Sequence, residues 1–296
     1  METIKQDFIR FVKGSPLYFV CSVIYYFLAS RTFGLPEGFI LAGVFYVASL
    51  LLVFTPAGEK LLRFLERVRK IETKEEKAYL LPLFQEVYDQ AKLINSKLEG
   101  IELCVIDKMA VNACAIGKHT IAVTKGAIET FSENELKALI AHEIAHIAYG
   151  DTIAKLYAVV GNGLFSFWVL ILRAFLAIVD FVQTLYKRPG SERLVVIVLR
   201  LIVDFALFLI MFLMNAVVAI NSRSNEFRAD KYAFELGYGD SLLKAFYLLE
   251  KIVLGDNGSI IQRMTASHPR ITARIEHLET LLDQEKPMQG NPWNLS

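Results

Sequence analysis

The residues best suited to chemistry lie in the segment His142-Glu143-Ile144-Ala145-His146. Side chains four positions apart share one face of a helix, so the imidazoles of His142 and His146 can bind one metal ion. Glu143 follows the first of them and can accept a proton from a water molecule that a metal has made acidic. An HExxH pattern also arises by chance in unrelated helices, and alone it only slightly favours a metal site over two structural histidines.

A second group of charged residues lies in the segment NEFRAD, residues 225–230. Glu226 and Asp230 are four positions apart and share one face of the predicted helix. A catalytic zinc ion requires a third protein ligand, which Glu226 can supply. Asp230 can accept a hydrogen bond from the second ring nitrogen of a ligand histidine and so fix its orientation. The alternative is an acidic surface paired with Arg223 and Arg228.

Two further residues could stabilise negative charge on a substrate. Hydrolysis of an amide passes through an oxyanion that needs a hydrogen-bond donor. His268, in the segment Ser-His-Pro, or Arg274 could supply that donor, although a His-Pro pair alone indicates only a helix start. The remaining histidines, His119 and His277, lack metal-ligand spacing and are predicted to be structural or surface residues.

The helix that must carry the HExxH segment has clear ends. Ser132 and Glu135 form a capping-box pattern, and Gly150 is a plausible stop. Between them, leucines and isoleucines repeat at helical spacing. The helix therefore begins in a polar segment, which argues against a metal site buried inside a membrane span.

Short strands and further helices are predicted around this helix. Residues 57–98 have a helical period throughout. The segment after Gly100 is rich in β-branched residues. Strands are predicted near Ile101–Ile106, Val111–Ile116 and Thr120–Thr124, and helices at residues 225–236, 241–254 and 269–282. The predicted fold is mainly α-helical with a small β-sheet.

Four apolar stretches are candidates for membrane spans, which need about 20 apolar residues each. They lie between Lys13 and Arg31, between Glu37 and Glu59, from Leu156 to about Leu185, and from Leu194 to about Ile220. The last two contain Arg173, Asp180, Arg200 and Asp204, so partial immersion of those two helices is the alternative. The predicted organisation is a transmembrane hairpin at 1–56, a soluble domain at 57–155 and 221–296, and an inserted transmembrane hairpin at 156–220.

The distribution of basic residues predicts an orientation in the cell membrane. Basic residues precede the first hairpin and follow it more densely than they occupy the turn at Arg31. This places both termini and the soluble domain in the cytoplasm, although basic residues in the second turn weaken the argument. Because the inserted hairpin crosses the membrane an even number of times, His146 and Glu226 can meet on one side.

Composition narrows the functional class. Apolar residues make up 54% of the 296 residues, which exceeds the usual content of a soluble chain. With 32 basic and 31 acidic residues, the chain lacks the basic surplus of a nucleic-acid-binding protein. The three cysteines have neither the number nor the spacing of a disulfide framework.

Taken in order, these segments resemble the HtpX family of membrane zinc metalloproteases, which are relatives of the CAAX prenyl protease and of Oma-type proteases. The resemblance implies a multi-pass membrane protein with a gluzincin-type metallopeptidase domain and one zinc ion per chain. It implies that His142, His146 and Glu226 bind zinc and that Glu143 is the general base and acid. It also implies that Asp230 supports a ligand and that His268 with Arg274 stabilises the transition state.

The resemblance extends to the substrate. The segment containing Asn112, Ala113 and Cys114 is similar to the family's strand bordering the cleft, where an extended peptide can pair with the main chain. The aromatic residue that relatives often carry after the alanine is missing here. The implied substrates are misfolded or damaged membrane proteins or unfolded polypeptides, cut at the lipid bilayer. The sequence gives no indication of oligomeric state.

Three other functions are consistent with parts of this pattern. An intramembrane protease would bury the HExxH segment in a span. A catalytically silent scaffold or adaptor would keep the fold without turnover, but it would have no need of Glu143. A CAAX-type protease acting on prenylated peptides has more spans than the four predicted here.

Overall fold

The computed structural model describes residues 16–30, 37–157, 224–255 and 271–285 as continuous segments, with isolated positions between residues 5 and 12 and between 166 and 212. The chain divides into two compact units. The first comprises residues 1–62 and 153–221, and the second comprises residues 63–152 and 222–296.

The first unit contains two apolar helices, α1 (Pro16–Ser30) and α2 (Glu37–Phe54), and most of α3 (Pro56–Leu65). A group of hydroxyls joins α1 and α2 to Tyr157: the Tyr46 hydroxyl lies 3.1 Å from Ser22 Oγ and 2.7 Å from the Tyr157 hydroxyl. Interhelical hydrogen bonds of this kind stabilise helix packing in an apolar environment.

The membrane spans predicted from the sequence stay predictions. Within the ranges described, none of the helices combines the length and the apolar character that a membrane crossing requires. The predicted third and fourth stretches, and the turn between them, lie outside the described residues apart from a few positions.

The second unit is built on a four-stranded sheet. Its strands are β1 (Val68–Lys70), β2 (Glu102–Ile106), β3 (Ala113–Ile116) and β4 (Thr120–Thr124), in the order β1-β2-β4-β3. The central strands β2 and β4 are parallel, with Cys104 opposite Ala122, and the outer strands are antiparallel to their neighbours.

Two differences from the predicted strands have simple causes. The segment predicted as continuous helix contains β1, because Arg67 adopts a left-handed conformation with φ of 58° and the chain then pairs with β2. A strand of three residues, two of them charged, is too short to show an alternating pattern. The strand predicted from Val111 begins at Ala113, so Asn112 lies just before it.

The helices of the second unit surround one face of the sheet. They are α4 (Lys74–Ile94), α5 (Lys125–Thr130), α6 (Glu133–Tyr149), the start of α7 (Asp151–Leu156), α8 (residues 224–233, followed by a π-helical turn at Phe234–Tyr238), α9 (Gly239–Gly255) and α10 (Ile271–Glu285). The predicted helices at 225–236, 241–254 and 269–282 are confirmed to within a few residues where they are described.

Helix α6 lies at the centre of this unit. The amide of Ser132 donates to the Glu135 carboxylate at 2.8 Å, which confirms the predicted capping box, and Gly150 ends the helix with φ of 78°. Leu136, Ile140 and Ile144 are fully buried in the core with residues of α4, α8, α9 and α10. This packing fixes the axial position and rotation of the helix that carries the HExxH segment.

Candidate metal centre

His142 and His146 occupy successive turns of α6 and point to one place. Their Nε2 atoms lie 3.2 Å apart, and their rings meet edge to face at 89°. Both side chains are almost completely buried, each with 1% of its surface exposed. The predicted shared helix face is therefore turned inward, toward neighbouring helices of the same unit.

Glu226 approaches these rings from α8. Its Oε2 atom lies 3.3 Å from His142 Nε2, and its Oε1 atom lies 3.5 Å from His146 Nε2. The three residues form a buried group whose ligand atoms all lie within 4.8 Å of one another. Two neutral imidazoles and a carboxylate are the donor set expected of a catalytic zinc site with an open position.

The distances between the side chains agree with a shared metal ion. Zinc–nitrogen and zinc–oxygen bonds of about 2.0–2.2 Å place neighbouring ligand atoms about 3.3–3.6 Å apart in a tetrahedron. The two imidazole nitrogens lie 3.2 Å apart, and Glu226 approaches them at 3.3 and 3.5 Å through different oxygens, Oε2 and Oε1. With one ligand atom from each residue, the three donors lie within 4.8 Å of one another, so the donor set fits a zinc ion.

Asp230 and Arg274 hold the first histidine. Asp230 Oδ1 lies 3.0 Å from His142 Nδ1, the ring nitrogen that points away from Glu226. Arg274, from α10, donates through Nε to Asp230 Oδ2 at 2.8 Å and forms an ion pair through Nη1 with Glu226 Oε2 at 2.9 Å. Its guanidinium also lies 4.2 Å from the ring centroid of Phe246. Arg274 thus contacts the carboxylate of Glu226, within the ligand group, and that of Asp230, next to it.

A corresponding pair holds the second histidine, and sequence reasoning missed it. Asp151 Oδ2 lies 3.1 Å from His146 Nδ1, and Asp151 Oδ1 accepts from Arg228 Nη2 at 2.7 Å. Asp151 comes five residues after His146 and beyond the end of α6, so helical periodicity cannot place it. The sequence feature that could have indicated Asp151 is its position directly after the glycine that ends the helix.

The charges of this cluster shift its pKa values. Burial, the largest effect, and the charge of Arg274 both lower the pKa of His142, but hydrogen bonds that its ring donates to the carboxylates of Asp230 and Glu226 outweigh them and raise it to about 9. Burial alone would raise the pKa of Asp230, yet Arg274 holds it below its usual value. A metal ligand must be an unprotonated imidazole, so metal binding here would release a proton.

Glu143 is buried, with 2% of its surface exposed. It follows His142 directly on α6. Burial, the largest effect, lowers the pKa of Arg274, but Asp230, Glu226 and, to a smaller extent, the charge of Glu143 raise it above its usual value. The carboxylate therefore lies beside the ligand group, where the sequence predicts a general base.

The remaining predicted residues are placed as follows. β3, with Ala113 and Cys114, is an edge strand of the sheet and packs against α6. The carbonyl of Asn112 accepts from the Thr124 amide at 3.0 Å, which fixes the start of this strand.

His268 lies outside the described residues. His119 is exposed, and the ring of His277 packs edge to face on Phe227 at 5.1 Å.

Comparisons with known proteins give the following matches. The sequence profile of a family described as Peptidase family M48 matches residues 76–282. Protease HtpX of Psychrobacter sp. (strain PRwf-1) is 31% identical over 220 residues, which are 67% of this chain and 69% of that protein. Protease HtpX of Pseudomonas fluorescens (strain SBW25) is 32% identical over 198 residues, 60% of this chain and 64% of that protein.

Among solved structures, the crystal structure of S. mikatae Ste24p aligns with a TM-score of 0.44 and 19% identity, covering 94% of this chain and 66% of the other. The profile match includes every residue of the ligand group and both aspartate–arginine pairs.

Proposed function

This chain belongs to peptidase family M48 and is similar to the HtpX proteases, and on that premise we propose that it is a zinc-dependent endopeptidase. His142, His146 and Glu226 would hold one zinc ion per chain. The observation that carries the proposal is the convergence of these three buried donors, whose ligand atoms all lie within 4.8 Å of one another.

The proposed mechanism assigns distinct tasks to the residues of the chain. Zinc, when bound, supplies Lewis acidity that makes water acidic and polarises the substrate carbonyl. Glu143 accepts the proton of the attacking water and later donates it to the leaving amine. Asp230 keeps the Nε2 atom of His142 directed at the ligand group by accepting from Nδ1.

The contacts of Arg274 support different roles for Arg274 and His268, the two residues predicted to stabilise the oxyanion. Arg274 directs its donors at Asp230 and Glu226, and it is 97% buried with only 3% of its surface exposed. This arrangement favours a role in holding the carboxylates. We therefore assign the oxyanion contact in the first place to His268.

The proposed substrate is an extended polypeptide. β3 is an edge strand of the sheet and lies beside α6. A peptide that paired with it along Asn112, Ala113 and Cys114 would therefore run next to the HExxH helix. The similarity to HtpX proteases suggests misfolded or unfolded membrane proteins as natural substrates. The long apolar stretches of the sequence suggest that cleavage takes place at a lipid bilayer.

We propose the membrane arrangement on the sequence alone. The chain would cross the cell membrane as two hairpins, residues 1–56 and 156–220, with the second unit and both termini in the cytoplasm. This arrangement is compatible with the site, because Glu226 and His146 belong to one compact unit although a long apolar segment separates them in sequence.

The decisive experiment compares the full-length wild type with Glu143→Gln in detergent. Zinc content is measured together with cleavage of an unfolded membrane protein. We expect about one zinc per chain in both and chelator-sensitive cleavage only by the wild type. Zinc bound by both with cleavage by neither would support the scaffold alternative, and absence of zinc from both would refute the assigned ligands.

A further inference from the structure

We propose that Asp151, held by Arg228, is a positioning residue that fixes the imidazole of His146 for metal binding. This inference rests on the function proposed above. Asp151 lies outside both segments that the sequence singled out for chemistry, whereas Arg228 belongs to the segment NEFRAD.

The contacts of Asp151 use both of its carboxylate oxygens. Oδ2 lies 3.1 Å from His146 Nδ1, and Oδ1 accepts from Arg228 Nη2 at 2.7 Å. The Asp151 side chain is 8% exposed and that of His146 is 1% exposed. A carboxylate only accepts, so this contact favours the tautomer with the proton on Nδ1, which leaves a lone pair on the Nε2 atom that faces the ligand group.

The local backbone explains how Asp151 reaches the ring. Gly150 ends α6 in the left-handed conformation, with φ of 78°, and reverses the chain so that the next residue lies beside the last turn. Thr152, one residue further on, donates through its hydroxyl to the carbonyl of Gly117, in the turn that joins β3 to β4. The segment Gly150-Asp151-Thr152 is therefore anchored at both ends.

Arg228 links the second histidine to the third ligand. It lies two residues after Glu226 on α8 and also donates to Asn225 Oδ1 at 3.1 Å. Its guanidinium lies 4.3 Å from the ring centroid of Tyr149, in the last turn of α6. One arginine thus holds α8 against α6 at the level of the ligands.

The ion pair between Asp151 and Arg228 also joins two parts of the second unit that are far apart in sequence. The chain leaves the second unit after Thr152 and returns to it at Ser222. Asp151 and Arg228 stand close to these two points and join them directly. The spacing between His146 and Glu226 is thereby held independently of the long segment that separates them in sequence.

An ion pair that only stabilises the fold would have the same contacts, so the test must measure metal affinity. The full-length chain in detergent is titrated with zinc in competition with a chromophoric chelator, and its thermal unfolding is followed after zinc removal. For Asp151→Ala we expect the Kd for zinc to rise about 10- to 100-fold. Asp151→Asn, which keeps an acceptor oxygen, should lie between this variant and the wild type.

The matched control is Asp240→Ala, which removes a 66% exposed aspartate paired with Lys244 in the same unit. Its Kd for zinc should equal that of the wild type. A Kd for Asp151→Ala within about two-fold of the wild-type value, with or without lower thermal stability, would overturn the proposal.

A double-mutant cycle tests the part assigned to Arg228. Arg228→Met keeps the apolar stem over Tyr149 and removes the hydrogen bond to Asp151. We expect it to weaken zinc binding in the wild-type background and to have no further effect in the Asp151→Ala background. Additive effects of the two substitutions would show that Arg228 does not act through Asp151.

A readout without metal separates this proposal from the function on which it rests. The chain has five histidines, so ring nitrogens labelled with ¹⁵N give a simple NMR spectrum. With zinc removed, His146 should hold its proton on Nδ1 in the wild type and lose this preference in Asp151→Ala. An unchanged tautomer would refute the positioning role, whereas a failure of the proposed function would appear as wild-type protein that binds no zinc.

Discussion

Each histidine of the ligand group is held by its own aspartate and arginine, but the two pairs differ in exposure. The side chain of Arg274 is 3% exposed, whereas that of Arg228 is 44% exposed. Charges in a dry environment interact strongly and are costly to leave without a partner, while a half-exposed pair is weakened by solvent. The inner pair should therefore govern folding as well as metal binding, and the outer pair chiefly the orientation of one ring.

The inner pair gives a prediction about stability. Arg274→Met keeps the volume over Phe246 but leaves the carboxylates of Asp230 and Glu226 without their cation. We expect the free energy of unfolding of the zinc-free protein to fall by about 3–5 kcal/mol, because a buried charge is left uncompensated. Chemical denaturation of the full-length chain in detergent measures this loss.

The double variant Arg274→Met/Asp230→Asn serves as the control. Removing the negative charge together with the positive one should restore part of the lost stability. If Arg274→Met unfolds like the wild type and binds zinc equally well but has lost its turnover, then Arg274 serves the oxyanion and not the carboxylates.

The contrast between Asp230 and Asp151 shows what sequence can reveal about such a site. Asp230 lies four residues after Glu226 on one helix, so periodicity alone puts both on one face. Asp151 reaches His146 through a left-handed turn at Gly150, and its partner Arg228 comes from another helix. Local spacing predicts contacts within a helix, but contacts made by a turn and by tertiary packing leave no periodic signal.

Between elements, an arginine in the shortest strand joins three parts of the second unit. Arg69 of β1 forms ion pairs with Glu76, in the first turn of α4, at 2.6 Å and with Asp107, just after β2, at 2.7 Å. Glu76 also accepts from the Thr73 amide in the capping box of α4. The strand that sequence analysis missed is thus fixed by side chains as well as by its pairing with β2.

This network predicts a specific dependence of stability on pH. The hydrogen bond from Arg69 is the main cause that lowers the pKa of Glu76 from 4.5 to about 2. The carboxylate therefore stabilises the fold fully above its ordinary pKa and loses that contribution as the pH falls from about 4.5 toward 2. Because the pair is partly exposed, we expect a contribution of about 1–2 kcal/mol at neutral pH.

The measurement is the difference in unfolding free energy between wild type and Glu76→Gln from pH 7 to pH 3. It should be constant near neutrality and shrink below about pH 4.5. The neighbouring Glu75→Gln, which alters an exposed side chain, is the control and should show a much smaller change. A difference for Glu76→Gln that stays constant to pH 3 would mean that the ion pair does not form in solution.

At the scale of the whole molecule, the residues of the site come from two parts of the chain, one before it leaves the second unit and one after it returns. His142 and His146 precede the departure after Thr152, while Glu226, Asp230 and Arg274 follow the return at Ser222. The predicted topology permits this, since two crossings bring the chain back to the same side. It cannot predict the depth or tilt of the apolar helices, because hydrophobic length limits these only loosely and packing determines them.

The proposed topology makes a prediction that single cysteines can test in a background without Cys21, Cys104 and Cys114. Lys70→Cys and Lys244→Cys probe the second unit at side chains that are 74% and 63% exposed. Gly34→Cys and Gly190→Cys probe the two proposed turns. In intact cells, a membrane-impermeant maleimide should label only the turn positions, and the other two should react after permeabilisation.

The four positions discriminate between the arrangements that the sequence leaves open. Labelling of both turns from outside, with protection of Lys70→Cys and Lys244→Cys, supports two full hairpins. If Gly34→Cys is labelled from outside but Gly190→Cys reacts only after permeabilisation, the inserted segment does not cross the membrane, and its charged residues lie at the surface. Lys70→Cys and Lys244→Cys on opposite sides would contradict the structure itself, because both belong to the unit in which His146 and Glu226 meet.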